Sequence, residues 1–404
     1  MRIAVFLLLL VTPFGVGFAQ HNVPELAAAL TIVAVPEHPL IELGDEQQLL
    51  NFDFAVSNHG RSTWRLSEIE IETYDEYNKL VTRKTVNSNG LSPSVNIVSK
   101  ALLSPGDAID VFNPFYSFPV DSPIAKLQYC FRYNREDDAT EAAANQHRVP
   151  LDFDTQVRVT VIPRHYSTKT DLILPMMGRV LVWEGHDFYA HHRRVPLQNP
   201  KVQQMGVRAN SNRFAFDFEI VDKEGRMYHG DPYDKRNWYC YGEPVYAPGA
   251  GKVMTAENSI PDNWFEGRKV SHPDLPASAD PKGLGNYVLI DHGDGEYSVL
   301  NHMLAGSVAV KTGDSVRRGQ MIGRIGFAGD TIFPHLHFSL LSGPGISQDE
   351  GVPASFTKYR RLLGTKSVEV RRGTVDSGDF LVSEATYDKN KTERRDPTHI
   401  TPVP

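Results

Sequence analysis

Short runs of alternating apolar and polar residues, separated by turn-forming residues, constrain the fold of this chain more than any other feature of its sequence. Leu127, Tyr129 and Phe131 occupy alternate positions of one such run. Further runs lie near residues 50–56 and 157–161. Because successive side chains of a strand point to opposite faces, this pattern indicates strands with one buried face. No long helical period accompanies these runs. The sequence therefore predicts an all-β protein.

The chain has 404 residues, more than one hydrophobic core usually holds, so two domains are expected. Strands without helices favour an immunoglobulin-like β-sandwich for residues 20–165, interpreted as an accessory domain that acts as a spacer or positions a substrate. A connecting segment rich in aromatic residues and histidine follows at residues 164–200. Strands resume from Phe214, which predicts a second β domain within residues 166–365. Residues 366–404 form a C-terminal extension that is predicted to be partly disordered.

The N-terminus has the pattern of a secretory signal peptide. One basic residue precedes the apolar run from Ile3 to Val11, and small residues stand at Gly17 and Ala19, so we expect cleavage after residue 19. The apolar run is shorter than the roughly 20 residues that cross a bilayer. The sequence therefore predicts a signal peptide at residues 1–19, no membrane span, and a periplasmic or secreted protein.

Composition limits the partners and the covalent cross-links of the chain. The formal net charge of −7 argues against a nucleic-acid or an anionic-membrane partner, so neutral or peptide-like partners are expected. The chain has two cysteines, Cys130 and Cys240, which excludes a disulfide scaffold. Each lies in an aromatic, strand-like run. A bridge between them and two buried free thiols both stay open.

Two histidines of an H-x-H pair, His335 and His337, stand where a strand is predicted to open. Alternate strand residues point the same way, which places the two imidazoles on one face, about 7 Å apart along the backbone. His302 follows another predicted strand, where a histidine serves as an acid, a base or an oxyanion-stabilising group. The alternative for each is a solvent-facing histidine. Asp217 stands between aromatic residues of a further strand and needs a partner, either Arg213 or a cation.

Five segments that carry these residues follow one another in a specific order: FAFDF, PVYAPGAGKV, GNYVLIDHGDGEYSVLNHM, VKTGDSVRRGQMIGRIGFAGD and PHLHFSL. In this order the chain resembles the M23 metallopeptidases, the LytM/lysostaphin-like peptidoglycan endopeptidases, over about residues 206–345. The resemblance implies an antiparallel, barrel-like β-sheet that holds one zinc ion. Asp217 and His337 match two zinc ligands of the family. His302 and His335 match the two histidines that activate water and stabilise the tetrahedral intermediate.

The sequence departs from the family pattern at one ligand. The family usually has a histidine four residues before the aspartate, and that position is Arg213. We expect an upstream histidine to replace it, with His192 favoured over the adjacent His191. An amide oxygen of Asn210 or Asn212 is a further alternative, although zinc prefers imidazole, thiolate or carboxylate. A site with too few ligands to retain zinc is the remaining alternative.

The function predicted from the resemblance is hydrolysis of peptide bonds in peptidoglycan cross-links by an exported zinc metalloendopeptidase. One competing hypothesis is a catalytically impaired domain that binds and regulates another cell-wall hydrolase. Arg213 favours this alternative, whereas the retained Asp217, His302, His335 and His337 oppose it. A second competing hypothesis is a peptidase that acts on a protein outside the wall, such as a glycine-rich partner.

Overall fold

A computed structural model describes residues 29–136, 153–274 and 283–388. The predicted signal peptide lies outside these residues, as does the part of the predicted C-terminal extension after residue 388. The all-β prediction is confirmed, since the helical elements described are three short 3-10 turns and one five-residue helix, α1, at Pro200–Gln204. None of the helices in the described ranges has the length and the apolar character to cross a bilayer.

The N-terminal part of the chain builds three sheets. Its strands are β1 Leu30–Val35, β2 Leu40–Leu43, β3 Gln47–Leu50, β4 Asp53–Asn58, β5 Trp64–Tyr74, β6 Leu80–Asn87, β7 Leu102–Leu103, β8 Ala108–Phe112, β9 Ser117–Pro119, β10 Lys126–Arg135, β11 Thr155–Val161 and β12 Arg164–His165. One sheet has the order β1-β4-β8, a second has the order β11-β10-β5-β6 with β7 paired to β5, and a third has the order β12-β2-β3-β9.

Aromatic side chains from the first two of these sheets meet in one hydrophobic core. Phe54 on β4 lies against Tyr129 and Phe131 on β10, with ring centroids 4.7 and 4.9 Å apart. The rings meet edge to face, the arrangement that aromatic quadrupoles favour. The two sheets therefore face each other as a sandwich, which we call the N-terminal sandwich. Its immunoglobulin-like topology stays a prediction.

The C-terminal part of the chain is dominated by one antiparallel sheet. Its strands and those of two small hairpins are β13 Arg179–Glu184, β14 Phe216–Ile220, β15 Pro244–Tyr246, β16 Gly251–Glu257, β17 Trp264–Glu266, β18 Lys269–Ser271, β19 Asn286–Asp291, β20 Tyr297–Met303, β21 Ser315–Val316, β22 Met321–Arg324, β23 Leu336–Leu341, β24 Phe356–Leu363, β25 Lys366–Gly373 and β26 Phe380–Ser383. The main sheet has the order β21-β16-β19-β20-β23-β14-β13-β26-β24-β25. β15 pairs with β22, and β17 pairs with β18.

The centre of this ten-stranded sheet places three polar residues in one row. His337 on β23 stands opposite Asp217 on β14 and opposite Asn301 on β20. Directly paired residues of an antiparallel sheet share a face, so this row concentrates polar side chains at the middle of an otherwise apolar sheet. Every residue of β23 is buried: Leu336, Phe338 and Leu340 face the hydrophobic core, and His337 and Ser339 alternate with them on the other face.

The structure differs from the sequence prediction at two places. Residues 164–200 are not only a connection, because β13 lies within them and pairs with β14. Val180 and Val182 of β13 are fully buried and alternate as strand residues do, but a six-residue strand gives too few repeats to be recognised. β23 begins at Leu336, one residue after His335. Of the two alternatives that the sequence left open for the cysteines, the structure has buried free thiols at Cys130 and Cys240.

Candidate metal centre

The carboxylate of Asp217 is the point where three imidazoles converge. Its Oδ1 atom lies 3.0 Å from Nδ1 of His337, 3.2 Å from Nε2 of His335 and 3.3 Å from Nε2 of His192. Burial acts to raise the pKa of Asp217, but the adjacent His335 and His192 outweigh it and hold the pKa well below its usual range. Asp217 is therefore a carboxylate at neutral pH, in the form that binds a cation.

His337 presents its Nδ1 atom to this carboxylate. Its other ring nitrogen, Nε2, lies 3.0 Å from the hydroxyl oxygen of Ser339, two residues along the same strand face. Without a cation, Nδ1 donates to Asp217 Oδ1; with a cation between these two atoms, the proton would lie on Nε2, where Ser339 accepts it, and the lone pair of Nδ1 would bind the cation. Burial lowers the pKa of His337 to about 4, against the opposing effect of Asp217. The imidazole is therefore neutral at pH 7, as a metal ligand must be.

His192 approaches Asp217 from a different element, the three-residue 3-10 turn His191–Arg193. Its side chain is fully buried, and its Nδ1 atom donates to the carbonyl oxygen of Gly185 at 2.8 Å. Within the residues that the structure describes, its Nε2 atom has no hydrogen-bond partner. A buried nitrogen without a partner is costly, and a metal ion between His192 and Asp217 would satisfy it. This observation supports a metal ion at the site.

His302 and His335 lie beside this group of ligand atoms. Their ring centroids are 4.9 Å apart, and the His302 ring lies 5.9 Å from that of His337. His302 Nδ1 donates to Ala328 O at 2.8 Å, and His335 Nδ1 donates to Phe333 O at 3.0 Å. His302 thus has Nε2 available to face the site, whereas Nε2 of His335 lies 3.2 Å from Asp217 Oδ1.

The conformation and the charge of His302 are unusual. Its φ angle is 60°, a left-handed conformation that a residue other than glycine rarely adopts and that costs of order 1–3 kcal/mol. Burial, together with His335 and His337, lowers the pKa of His302 well below its ordinary value. The sheet and the Ala328 carbonyl therefore hold a neutral imidazole in a strained position facing the site.

The alternatives to His192 as a ligand are arranged differently. His191 is exposed, and its Nδ1 atom lies 2.7 Å from Oε2 of Glu184, although ligand atoms of His191, His192 and Asp217 all lie within 4.8 Å of one another. Asn210 instead directs its amide Nδ2 to His192 O and its Oδ1 to the backbone of Asn212. Its amide oxygen is therefore occupied, and the favoured third ligand stays His192, with His191 as the alternative.

Arg213 is not the partner of Asp217. Its side chain is directed to two other carboxylates, with Nη1 2.7 Å from Asp53 Oδ2 and Nε 2.8 Å from Glu350 Oε2. Burial acts to lower the pKa of Arg213, but these two carboxylates outweigh it and raise the pKa above its ordinary value. Of the two partners that the sequence suggested for Asp217, only a cation is compatible with this arrangement.

Two nitrogens and one carboxylate oxygen suit zinc. A catalytic zinc site typically has three protein ligands drawn from histidine and acidic residues, with a fourth position open to water. His192 Nε2, Asp217 Oδ1 and His337 Nδ1 supply this donor set, and the hydrogen bonds from the opposite ring nitrogens orient both imidazoles.

Sequence reasoning missed the residues that support this site. Ser339 orients His337, and it follows the H-x-H pair at the two-residue spacing of one strand face, which is a usable signal. Glu219 follows Asp217 at the same spacing. It is fully buried, and burial raises its pKa well above the usual range, against the effect of the neighbouring Cys240 thiol. The Cys240 thiol in turn donates to Pro334 O, just before His335.

Comparisons with known proteins agree with the sequence resemblance. Residues 239–349 match the family model described as peptidase family M23. This match includes His302, His335 and His337, whereas Asp217 and His192 precede it. Over 100 residues the chain is 34% identical to the peptidoglycan DD-endopeptidase ShyA of Vibrio cholerae serotype O1. That alignment covers 25% of this chain and 18% of the length of the relative.

Solved structures also share similarity with part of the chain. The catalytic domain of lysostaphin from Staphylococcus simulans is 25% identical, with 31% of this chain and 86% of that chain covered and a TM-score of 0.20. The deep-sea M23 metalloprotease pseudoalterin is 14% identical, with 46% and 76% covered and a TM-score of 0.24.

Proposed function

Residues 239–349 of this chain belong to peptidase family M23, and from this premise we propose an exported zinc metalloendopeptidase that hydrolyses peptide bonds in peptidoglycan cross-links. The observation that carries the proposal is the convergence of three buried imidazoles on the single carboxylate of Asp217. The similarity to a peptidoglycan endopeptidase over 100 residues supports the choice of substrate. The signal-like N-terminus supports a periplasmic or secreted location.

The residues of the chain divide into two roles in this proposal. His192, Asp217 and His337 hold zinc, which when bound polarises a scissile carbonyl and acidifies a water molecule. His302 Nε2 accepts a proton from the attacking water, since its Nδ1 is already occupied by Ala328 O. His335 is held by Phe333 O and Thr331 with Nε2 directed toward Asp217, from where it stabilises the tetrahedral intermediate.

The test measures metal content and hydrolysis on the same preparations. We expect one zinc per chain in the purified protein by mass spectrometry, and release of soluble fragments from purified peptidoglycan. His335→Ala should retain zinc and lose activity by on the order of 10²- to 10³-fold, the usual effect of removing one stabilising group. A His335→Ala protein that digests the wall at the native rate would refute the assigned role.

A regulator of another cell-wall hydrolase is the second candidate, and Arg213 is the observation that favours it. Arginine replaces the ligand that the family usually has at this position, and its side chain is committed to Asp53 and Glu350. The buried imidazoles around Asp217 oppose this candidate. A wild-type protein that binds no zinc after incubation with the metal would favour the regulator, and capture of a partner hydrolase would then be the direct test.

A further inference from the structure

The segment that carries His192 lies against the N-terminal sandwich. We call residues 185–198 the His192 turn. Phe188 of this turn stacks on Tyr116 of the sandwich with ring centroids 5.3 Å apart and an interplanar angle of 20°. At its end, the backbone N–H of Gln198 donates to Asp110 Oδ2 at 2.8 Å. The turn therefore contacts the sandwich on one side and presents His192 to the ten-stranded sheet on the other.

Arg193, the residue next to His192, is anchored in the sandwich. Its side chain is fully buried, and Nη2 donates to the backbone oxygen of Asn113 at 2.8 Å. Its guanidinium lies 5.3 Å from the ring centroid of Tyr116 and 5.0 Å from that of Phe188. A buried cation needs such partners, and contact with two aromatic rings stabilises it further. The position of Arg193 is thus determined by the sandwich.

Arg213 connects the same turn to the sandwich by a second route. The side-chain Nδ2 of Asn210 donates to both His192 O and Arg193 O. The backbone carbonyl oxygen of Asn210 accepts from the backbone N–H of Arg213. The Arg213 side chain pairs with Asp53 on β4. The backbone carbonyl oxygen of Arg213 accepts a hydrogen bond from the side-chain amide of Asn51. Both members of the Arg213–Asp53 ion pair are buried. The arginine that replaces the family ligand therefore joins the sandwich to the backbone that carries the replacement ligand.

We propose that the N-terminal sandwich is a structural part of the metal centre, in which Arg193 and Arg213 are positioning residues that hold His192 against Asp217. Asp217 and His337 lie on paired strands, so the sheet fixes their separation. A three-residue 3-10 turn has no such internal support and needs tertiary contacts to keep a ligand in place. The inference rests on the proposed function, because it takes His192 as a zinc ligand.

The experiment compares variants of two ion-paired or hydrogen-bonded arginines in the full-length chain. Arg193→Met keeps much of the apolar volume and removes the contacts with Asn113 and the aromatic rings. We expect zinc affinity, measured by competition with a chelator, to fall 10- to 100-fold, as for other residues that orient a metal ligand. Arg132→Met is the matched control, because Arg132 pairs with Glu68 and Glu70 within the sandwich. The control should bind zinc as the wild type does.

A second, milder variant tests the same contact if Arg193→Met does not fold. Tyr116→Leu removes the ring that stacks on Phe188 and lies over Arg193 while keeping an apolar side chain. We expect a smaller loss of zinc affinity, about three- to tenfold. Wild-type affinity in both variants, with affinity lost in His192→Ala, would overturn the inference and leave the proposed function intact.

Hydrogen exchange separates the inference from the proposed function. In the metal-free protein, Arg193→Met should increase amide exchange within residues 185–198 and leave the strands β14 and β23 protected. If the wild type binds no zinc, the proposed function fails, and this measurement still tests the positioning role. Unchanged protection of the His192 turn in Arg193→Met would overturn the inference.

Discussion

The two halves of the candidate metal site differ in what holds them in place. Asp217 and His337 are directly opposed residues of β14 and β23, in the middle of a ten-stranded sheet. His192 stands on a three-residue turn that contacts the N-terminal sandwich. All three side chains are buried to a similar degree. Burial alone therefore does not describe how firmly a ligand is positioned.

One metal site can thus combine ligands positioned by the pairing of their own strands with a ligand positioned by residues that are distant in the sequence. In the half that consists of Asp217 and His337, which we call the strand-borne half, backbone hydrogen bonds set the distance between the two ligands, so replacement of one side chain should leave the sheet unchanged. In the half that consists of His192, which we call the turn-borne half, the neighbouring Arg193 and the nearby Arg213 contact Asn113 and Asp53, far away in the sequence, and we propose that these contacts position the ligand. Changes in the two halves should therefore have different consequences, and the following predictions test this.

The largest effect is expected in the strand-borne half. Asp217→Ala removes the atom on which the imidazoles converge, so zinc should be lost and hydrolysis of purified peptidoglycan should fall by about 10³-fold or more. Metal analysis and a fragment-release assay measure the two effects. Asp222→Ala is the control, because Asp222 pairs with Arg226 beyond the end of β14. An Asp217→Ala protein that retains zinc would contradict the assigned site.

A smaller effect is expected in the turn-borne half, where two adjacent histidines compete for one role. His192→Ala should weaken zinc binding by about 10²-fold, because the other two ligands remain on the sheet. His191→Ala should change affinity by less than about threefold, since the exposed His191 is held by Glu184. Chelator competition on both variants checks this. The reverse result would transfer the ligand role to His191.

The strand-borne half was predictable because its signal is local. The two-residue period around Asp217 and in His335–His337 indicates which side chains share a sheet face, and the order of five segments indicates which strands come together. The structure brings all of His192, Asp217, His302, His335 and His337 to one place. The assignment of ligand and catalytic roles to them stays a prediction.

The turn-borne half could be predicted only through the family resemblance. Arg213 showed that a ligand was missing, and nearby histidines supplied candidates, but nothing in the pattern predicted β13 or the ion pair between Arg213 and Asp53. That pair joins residues 160 positions apart. Contacts of this kind depend on how two folded regions pack, which local periodicity does not encode.

Residues 166–170 are attached to the ten-stranded sheet through Glu296. Loss of this contact should affect stability and leave the metal site intact. Glu296, before β20, is fully buried and accepts hydrogen bonds from Tyr166, Lys169 and Thr170, at 2.6–2.7 Å. Burial acts to raise the pKa of Glu296, but these donors lower it below the ordinary value. Glu296→Gln should lower the free energy of unfolding by about 1.5–3 kcal/mol, measured by denaturant unfolding.

The pH dependence of this effect has a defined sign. A lowered pKa means that the contribution of Glu296 is present above its ordinary pKa of 4.5 and is lost as the pH falls through the folded value. Glu296→Gln should therefore lose its difference from the wild type in acid. Glu224→Gln is the control, because Glu224 is partly exposed and pairs with Arg226, and its effect should stay within about 0.5 kcal/mol. Equal effects of the two variants at pH 7 would contradict the prediction.

The smallest effect concerns the contact between Asp110 and the end of the His192 turn. Burial raises the pKa of Asp110 from 3.8 to about 6, although the N–H of Gln198 opposes this rise. Between these pH values the folded state binds more protons than the unfolded state, so the free energy of unfolding should fall as the pH rises from about 4 to about 6 and then level off.

Asp110→Asn keeps a carbonyl acceptor for the N–H of Gln198 and removes the titrating carboxyl group. The variant should match the wild type near pH 4 and exceed its free energy of unfolding by about 1 kcal/mol at pH 7, a value reduced for solvent screening of a partly exposed group. Its zinc affinity should not change, because the hydrogen bond that attaches the turn to the sandwich does not require the charge. A stability difference that is constant with pH would show that Asp110 does not titrate near 6 in the folded protein. A loss of zinc affinity would show that the charge itself positions the turn-borne half of the site.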